Sequence, residues 1–387
     1  MRRVLPLLAA GVLASASAVR ADDPAGNERL ANDLNTVAIT EAQAGRWSEA
    51  VDHLRRAVKI NSSSMLLRKN LSGILTDWAF QLEQTGDASH VEPLLLEAVT
   101  YDSDNALAYV RLGDLAYFRR SDFTAAIGYW KRANGKISAV EWRSVADRIS
   151  QAQRDAAIER EFVSHPTAHF DIRVHHQGKA DLDALGRQLE DGYMRLLQRM
   201  GNGPPKITAI LYSAGDLRRT YNQRDWAVGF YDGRLRLAVR EVGTEMAPVL
   251  IAHELTHAFL QSAYGPTLPI WVHEGFAQFQ EGERPRAKEE LEQERAVLDG
   301  GGWTPLKWLD GKFTKPTGRD DIVRAYTQAR LVVNALITRY GGERFKQFMS
   351  ELSSGKPVSA AYEAAFAPEQ WAATDTNGIL TQVRGER

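Results

Sequence analysis

The spacing of apolar and polar positions changes near residue 160 and divides the chain in two. Met1, Arg2 and Arg3 precede an apolar run from Val4 to about Leu13, and small residues follow as far as Ala21. From about Asn27 to Arg160 apolar residues recur at helical spacing in one segment after another. Beyond Pro166 the stretch AHFDIRVHH alternates as a strand does, Asp181 to Met200 is patterned as an amphipathic helix, and KITAILY (206–212) reads as a second strand. The segment GFYDGRLRLAVR, Gly229 to Arg240, predicts a hairpin with a two-residue turn at Asp232-Gly233. In it Leu235, Leu237 and Val239 alternate with Arg234, Arg236 and Ala238. A helix then begins with Pro248 in its first turn and presents Leu250, Ile251, Leu255, Ala258 and Phe259 as its apolar surface. Residues 281–387 read as further helices, so the expected class is α+β.

Within the first half three segments align. AGRWSEAVDHLRRAVKIN carries Gly45, Trp47, Ala50, Leu54 and Ala57; TGDASHVEPLLLEAVTYDSDN carries Gly86 and Ala98. LAYVRLGDLAYFRRSDFTAAIGYWKRA carries Tyr109, Leu112, Gly113, Phe123, Ala126 and Ala133. These small and aromatic residues fall at the turn and packing positions of paired helices, and the pattern resembles tetratricopeptide repeats. Ala57 to Ala98 is 41 residues and Ala98 to Ala133 is 35, against a period of about 34, so helices have grown or loops have been inserted. A last helix, roughly Ala139 to Glu161, would cap a repeat region spanning 27–160. The resemblance implies a groove that docks a peptide or a partner protein, although the same residues also pack one repeat on the next.

The chemistry lies in the second half. His253 and His257 frame Glu254 in the run HELTH, and seventeen residues after His257 comes Glu274 in IWVHEGFAQF. Residues four apart on a helix lie about 40° apart, so both imidazoles can reach one ion, with Glu254 beside them. Two imidazoles and one carboxylate supply the three protein ligands of a catalytic zinc site and leave a position open. His253, His257 and Glu274 are the candidate ligands. His273 is a competing donor, since neighbours on a helix point about 100° apart and only one of His273 and Glu274 can face the site. A histidine third ligand of the metzincin type is excluded, because Leu260 and Ala263 stand where that pattern needs glycine and histidine.

HELTH followed by Trp271-Val272-His273-Glu274-Gly275-Phe276-Ala277 resembles the gluzincins, and within them the peptidase-MA-like proteins. The likeness covers roughly residues 165–385 and takes in the hairpin before HELTH and the later stretches AYTQARLVVNALITRYGG and GKPVSAAYEAAF. It implies a thermolysin-like domain over 161–387, with a small mixed sheet above the active-site helix and a helical lobe below. The strand Arg234 to Val239 would be the sheet edge along which an extended peptide pairs. The implied activity is zinc-dependent hydrolysis of peptide bonds through a zinc-activated water, with Glu254 as general base and acid and Tyr326 as an oxyanion donor. Gln278 stands where related enzymes often place an aspartate that holds a zinc-bound histidine, and would accept that hydrogen bond. The run EGERPRAKEELEQER, 281–295, reads as a solvated helix face, and Asp299 with Gly300, Gly301 and Gly302 as a break or hinge. The alternative to an enzyme is a catalytically inactive, metal-braced interaction protein.

Composition adds location. The basic start, short apolar run and small residues have the layout of a signal peptide, 1–21, cleaved after Ala18 or, preferably, Ala21. The run is well short of the roughly 20 residues that span a bilayer, so no membrane span is expected after cleavage. The chain has no cysteine, which excludes disulfides, thiolate metal sites and a cysteine nucleophile. Removing residues 1–21 takes away three arginines and no acid, which moves the formal charge from −1 to −4. Nucleic acid is therefore not expected as a partner, and a periplasmic or secreted protein with a peptide or protein substrate is the expectation. His175 and His176 carry no ligand spacing and are assigned to the surface.

Overall fold

The computed structural model describes residues 23–85, 89–175, 181–213, 229–238, 246–282, 288–299 and 303–366, with positions 217, 221 and 244. The expected leader, Gly86, His176, Val239, Arg240, Gly300 to Gly302 and the chain beyond residue 366 lie outside the described residues. Those described form fifteen α-helices and one five-stranded mixed sheet, an α+β chain. It divides into two compact units, one ending at Arg160 and the other beginning at Glu161.

The first unit is helical. Its elements are α1 (Pro24–Gln43), α2 (Trp47–Ile60), α3 (Met65–Thr85), α4 (Val91–Tyr101), α5 (Ala106–Asp114), α6 (Phe123–Arg132) and α7 (Ala139–Ile158). Four of them start at a side chain that accepts from the first turn: Asp23, Asn105, Asp122 and Ser138, the last in a reciprocal pair with Glu141. α1 packs on α2, α3 on α4 and α5 on α6, and each pair contacts the next. Ala50, Leu54, Ala57, Ala98, Leu112, Ala126 and Ala133 are buried between them. Gly113 has a steric reason, because a Cβ there would lie 2.3 Å from the Trp130 ring. Between α5 and α6 the helix widens into a π turn, Leu115–Arg119.

The second unit opens with a strand that the alternation after Pro166 does not announce, β1 (Phe162–Pro166). It pairs antiparallel with β2 (Phe170–His175), and β2 pairs parallel with β3 (Ile207–Tyr212). Parallel neighbours need a crossover, which α8 (Leu182–Met200) provides, starting at the Asp181 cap. β4 (Gly229–Tyr231) and β5 (Leu235–Ala238) complete the sheet in the order β1-β2-β3-β5-β4. Two expectations are corrected here. β5 lies between β3 and β4, so the segment from Arg234 is not the sheet edge; the edges among the described strands are β1 and β4. Tyr231 pairs with Leu235, so the hairpin loop holds three residues rather than two, with Gly233 at φ +95°. Both faces of β5 are buried. Arg236 is satisfied inside by Asp232 at 3.0 Å and by the hydroxyls of Tyr212 and Tyr221, each at 2.6 Å.

Helices follow: α9 (Ala247–Tyr264), α10 (Ile270–Gln280), α11 (Lys288–Leu298), α12 (Leu306–Thr314), α13 (Arg319–Tyr340), α14 (Gly342–Ser353) and α15 (Val358–Phe366). Two apolar cores meet at α9. Ile251, Leu255, Ala258 and Phe259 pack with Phe170, Ile172, Leu189 and Tyr193 under the sheet. Leu260 joins Trp271, Val272 and Phe276 of α10 with α13, α14 and α15 in the second core. Glycines set the approach of the helices. A Cβ at Gly192 of α8 would come within 2.9 Å of Ile251 Cγ2, and one at Gly275 of α10 within 2.4 Å of the Ala329 carbonyl oxygen of α13.

Because Gly275 abuts backbone, which cannot swing away, Gly275→Ala should lower stability by about 1–3 kcal/mol despite its better helix propensity. Gly311→Ala, mid-helix in α12 with open space around it, should raise stability by about 0.5–1 kcal/mol. Urea denaturation of both variants measures the contrast.

Candidate metal centre

α9 carries three of the candidate site residues because its faces have different neighbours. Ile251, Leu255 and Phe259 bind it to the sheet core, which leaves His253 and His257, one turn apart, on the side toward α10. α10 is fixed at both ends. Asp310 of α12 accepts from the Trp271 backbone N–H at 3.0 Å, and Arg199 of α8 donates to Gln280 Oε1 at 2.6 Å. Glu274 thereby faces the two histidines. Its Oε2 lies 3.5 Å from His253 Nε2 and 3.8 Å from His257 Nε2. The ligand atoms of His253, His257 and Glu274 all fall within 4.8 Å of one another.

Two imidazole nitrogens and a carboxylate oxygen converging in this way form a triad able to hold a metal ion, and three protein ligands leave a coordination position open. The residues therefore fit a divalent transition metal. His273 stands beside them, its ring 5.8 Å from that of His257, and is not one of the three convergent donors. Burial holds the His273 imidazole below its ordinary range.

The electrostatics follow from crowding. Burial raises the Glu254 carboxyl to about 7, with the charges of Glu274 and Glu281 acting in the same direction and that of His253 against it. Burial lowers His257 to about 4, helped by His253 and His273 and opposed by Glu274. Burial also works against a charged His253, yet hydrogen bonds to Glu274 and Glu281 and the charge of Glu254 prevail and lift it to about 10. Glu274 resists the effect of burial through its hydrogen bond to His253 and the neighbouring histidines, and is held below the ordinary carboxylate range. Without a metal the cluster thus keeps a proton on His253.

Two readings of the sequence change, and Tyr326 is placed. Gln278 does not hold a histidine: its amide nitrogen donates to the carbonyls of Glu274 at 3.2 Å and Tyr326 at 3.0 Å. The run 281–295 is not wholly a solvated face. Glu281 Oε1 accepts from His253 Nδ1 at 2.9 Å, and the buried Glu294 pairs with Arg330 at 3.1 Å. Tyr326 lies on α13 with its ring edge-on to Phe313 at 5.1 Å, and its carbonyl is the one that Gln278 engages. Glu281 could have been found from spacing, because seven residues after Glu274 is two helical turns and returns to the same face. His175 is half-buried, with its ring edge-on to Phe162 and its Nε2 3.3 Å from the Glu161 carboxylate.

No protein-family model matches the chain, and comparison with curated proteins also yields no match. Among the described residues, no helix is long and apolar enough to cross a membrane.

A metal ion bound by His253 must displace the proton held there. Because His253 stays charged up to about 10, affinity for Co2+ or Zn2+ should rise with pH through neutrality, by about tenfold per unit. Calorimetric titrations in buffers of different ionisation enthalpy should show proton release on binding.

Proposed function

We propose that the chain is an exported zinc peptidase whose second unit hydrolyses peptide bonds and whose first unit docks the protein to be cut. The observation that carries this reading is the convergence of His253, His257 and Glu274 from two helices, with Glu254 buried at their side. The spacing HELTH and then Trp271 to Ala277 resembles the gluzincins, and the small mixed sheet packed on α9 with helices beyond it supports a thermolysin-like arrangement. Zinc is the metal that best suits two imidazoles, one carboxylate and hydrolytic chemistry.

Zinc in such a site supplies a Lewis acid that polarises a carbonyl and makes water more acidic. Glu254, with its carboxyl near 7, takes the proton of the attacking water at neutral pH and returns it to the amide nitrogen that leaves. An extended substrate would align along β4, the edge strand nearest the site. Gly229 supports this, since a Cβ there would lie 3.6 Å from Glu254 Cγ, so the strand runs beside the proton-transfer group. Tyr326 would donate to the developing oxyanion.

The helix pairs of the first unit support the tetratricopeptide reading. The 21-residue α3 accounts for the long first interval, and the π turn after α5 takes up the one extra residue of the second. Such arrays present a groove to peptides and proteins. The signal-like start supports export to the periplasm or beyond.

The decisive comparison is hydrolysis of an unfolded protein by the zinc-loaded chain and by Glu254→Gln carrying equal zinc. The variant should be slower by about 100-fold or more. Equal rates, or no cleavage by either zinc-loaded protein, would overturn the peptidase reading in favour of a metal-braced interaction protein.

A further inference from the structure

We infer that Glu281 is the positioning residue of the metal centre: it orients the His253 ring and fixes which nitrogen faces the metal. The inference rests on the reading of His253, His257 and Glu274 as metal ligands.

The two histidines present Nε2 toward Glu274, at 3.5 and 3.8 Å. A neutral imidazole has one N–H and one lone pair, and the lone pair must be on the nitrogen that binds. In His253 the opposite nitrogen, Nδ1, donates to Glu281 Oε1 at 2.9 Å. When a metal displaces the Nε2 proton, that bond would keep the remaining proton on Nδ1 and leave the Nε2 lone pair for the ion. A carboxylate acceptor also makes the ring a better donor toward the metal.

Glu281 is well placed to do this. It follows the last residue of α10, its backbone N–H bonds the Ala277 carbonyl, and the chain turns away at Gly282, φ +82°. The buried Gln280, gripped by Arg199, fixes that helix end. One helix thus provides both a ligand, Glu274, and two turns later the support for another ligand on a different helix. Gln278, one turn after Glu274, instead directs its amide nitrogen at the Glu274 and Tyr326 carbonyls.

The test is zinc affinity, read by competition with a chromogenic chelator on the full chain, together with the Nδ1 proton of His253 by nuclear magnetic resonance. Glu281→Ala should weaken zinc binding ten- to hundredfold and lose the strongly downfield Nδ1 proton. Glu281→Gln, which keeps an acceptor and the side-chain shape, should recover part of the affinity. Gln278→Ala should leave affinity within about twofold. Wild-type affinity in Glu281→Ala, or an equal loss in Gln278→Ala, overturns the assignment while leaving the metal site standing. A wild-type chain that takes up no zinc overturns the metal site and the assignment together.

Discussion

Three carboxylates, those of Glu254, Glu274 and Glu281, crowd two imidazoles in a partly buried cluster in which Glu254 lies deepest. Like charges held this close and partly screened from water repel, and positive charge joining them relieves the repulsion. The proton on His253 is the least the protein can supply. A divalent cation supplies more, and from the direction in which the Nε2 atoms and Glu274 already point. Burial is the first reason Glu254 keeps its own proton until near neutrality; the charge of His253 works against it, and those of Glu274 and Glu281 reinforce it.

Holding such a cluster together requires helices that cannot drift. α9 and α10 are brought to their neighbours by glycines at contact points, Gly192 against Ile251 and Gly275 against the Ala329 carbonyl. Asp310 and Arg199 then tie the two ends of α10. Gly275 directly follows Glu274, so the residue that lets α13 approach adjoins the one that faces the histidines. Packing and coordination are set by adjacent positions.

Local pattern carried the parts of this chain that depend on neighbours in sequence. The four-residue spacing of His253 and His257 placed them on one face, and Asp181 to Met200 became α8 with Asp181 as its cap. Glu274 was reached through its motif. What local pattern could not convey were pairings made in space. β1 alternates too weakly to stand out and exists because β2 offers it a partner. The alternation around Arg236 does not convey that Tyr212 and Tyr221, distant in sequence, join Asp232 to bind its guanidinium. Glu281 was hidden in a charged run whose average character is that of a surface, while its own side chain turns inward. The order of β5 and β4 depends on which strand pairs with β3, and a hairpin pattern is silent about that.

The sharing of α9 by both cores has a thermodynamic meaning. Its sheet-facing residues and Leu260 commit one rigid rod to two apolar clusters. Melting either cluster strips support from the rod that carries His253, Glu254 and His257. Among the described residues, opening of the candidate metal site is therefore coupled to the loosening of both cores at once.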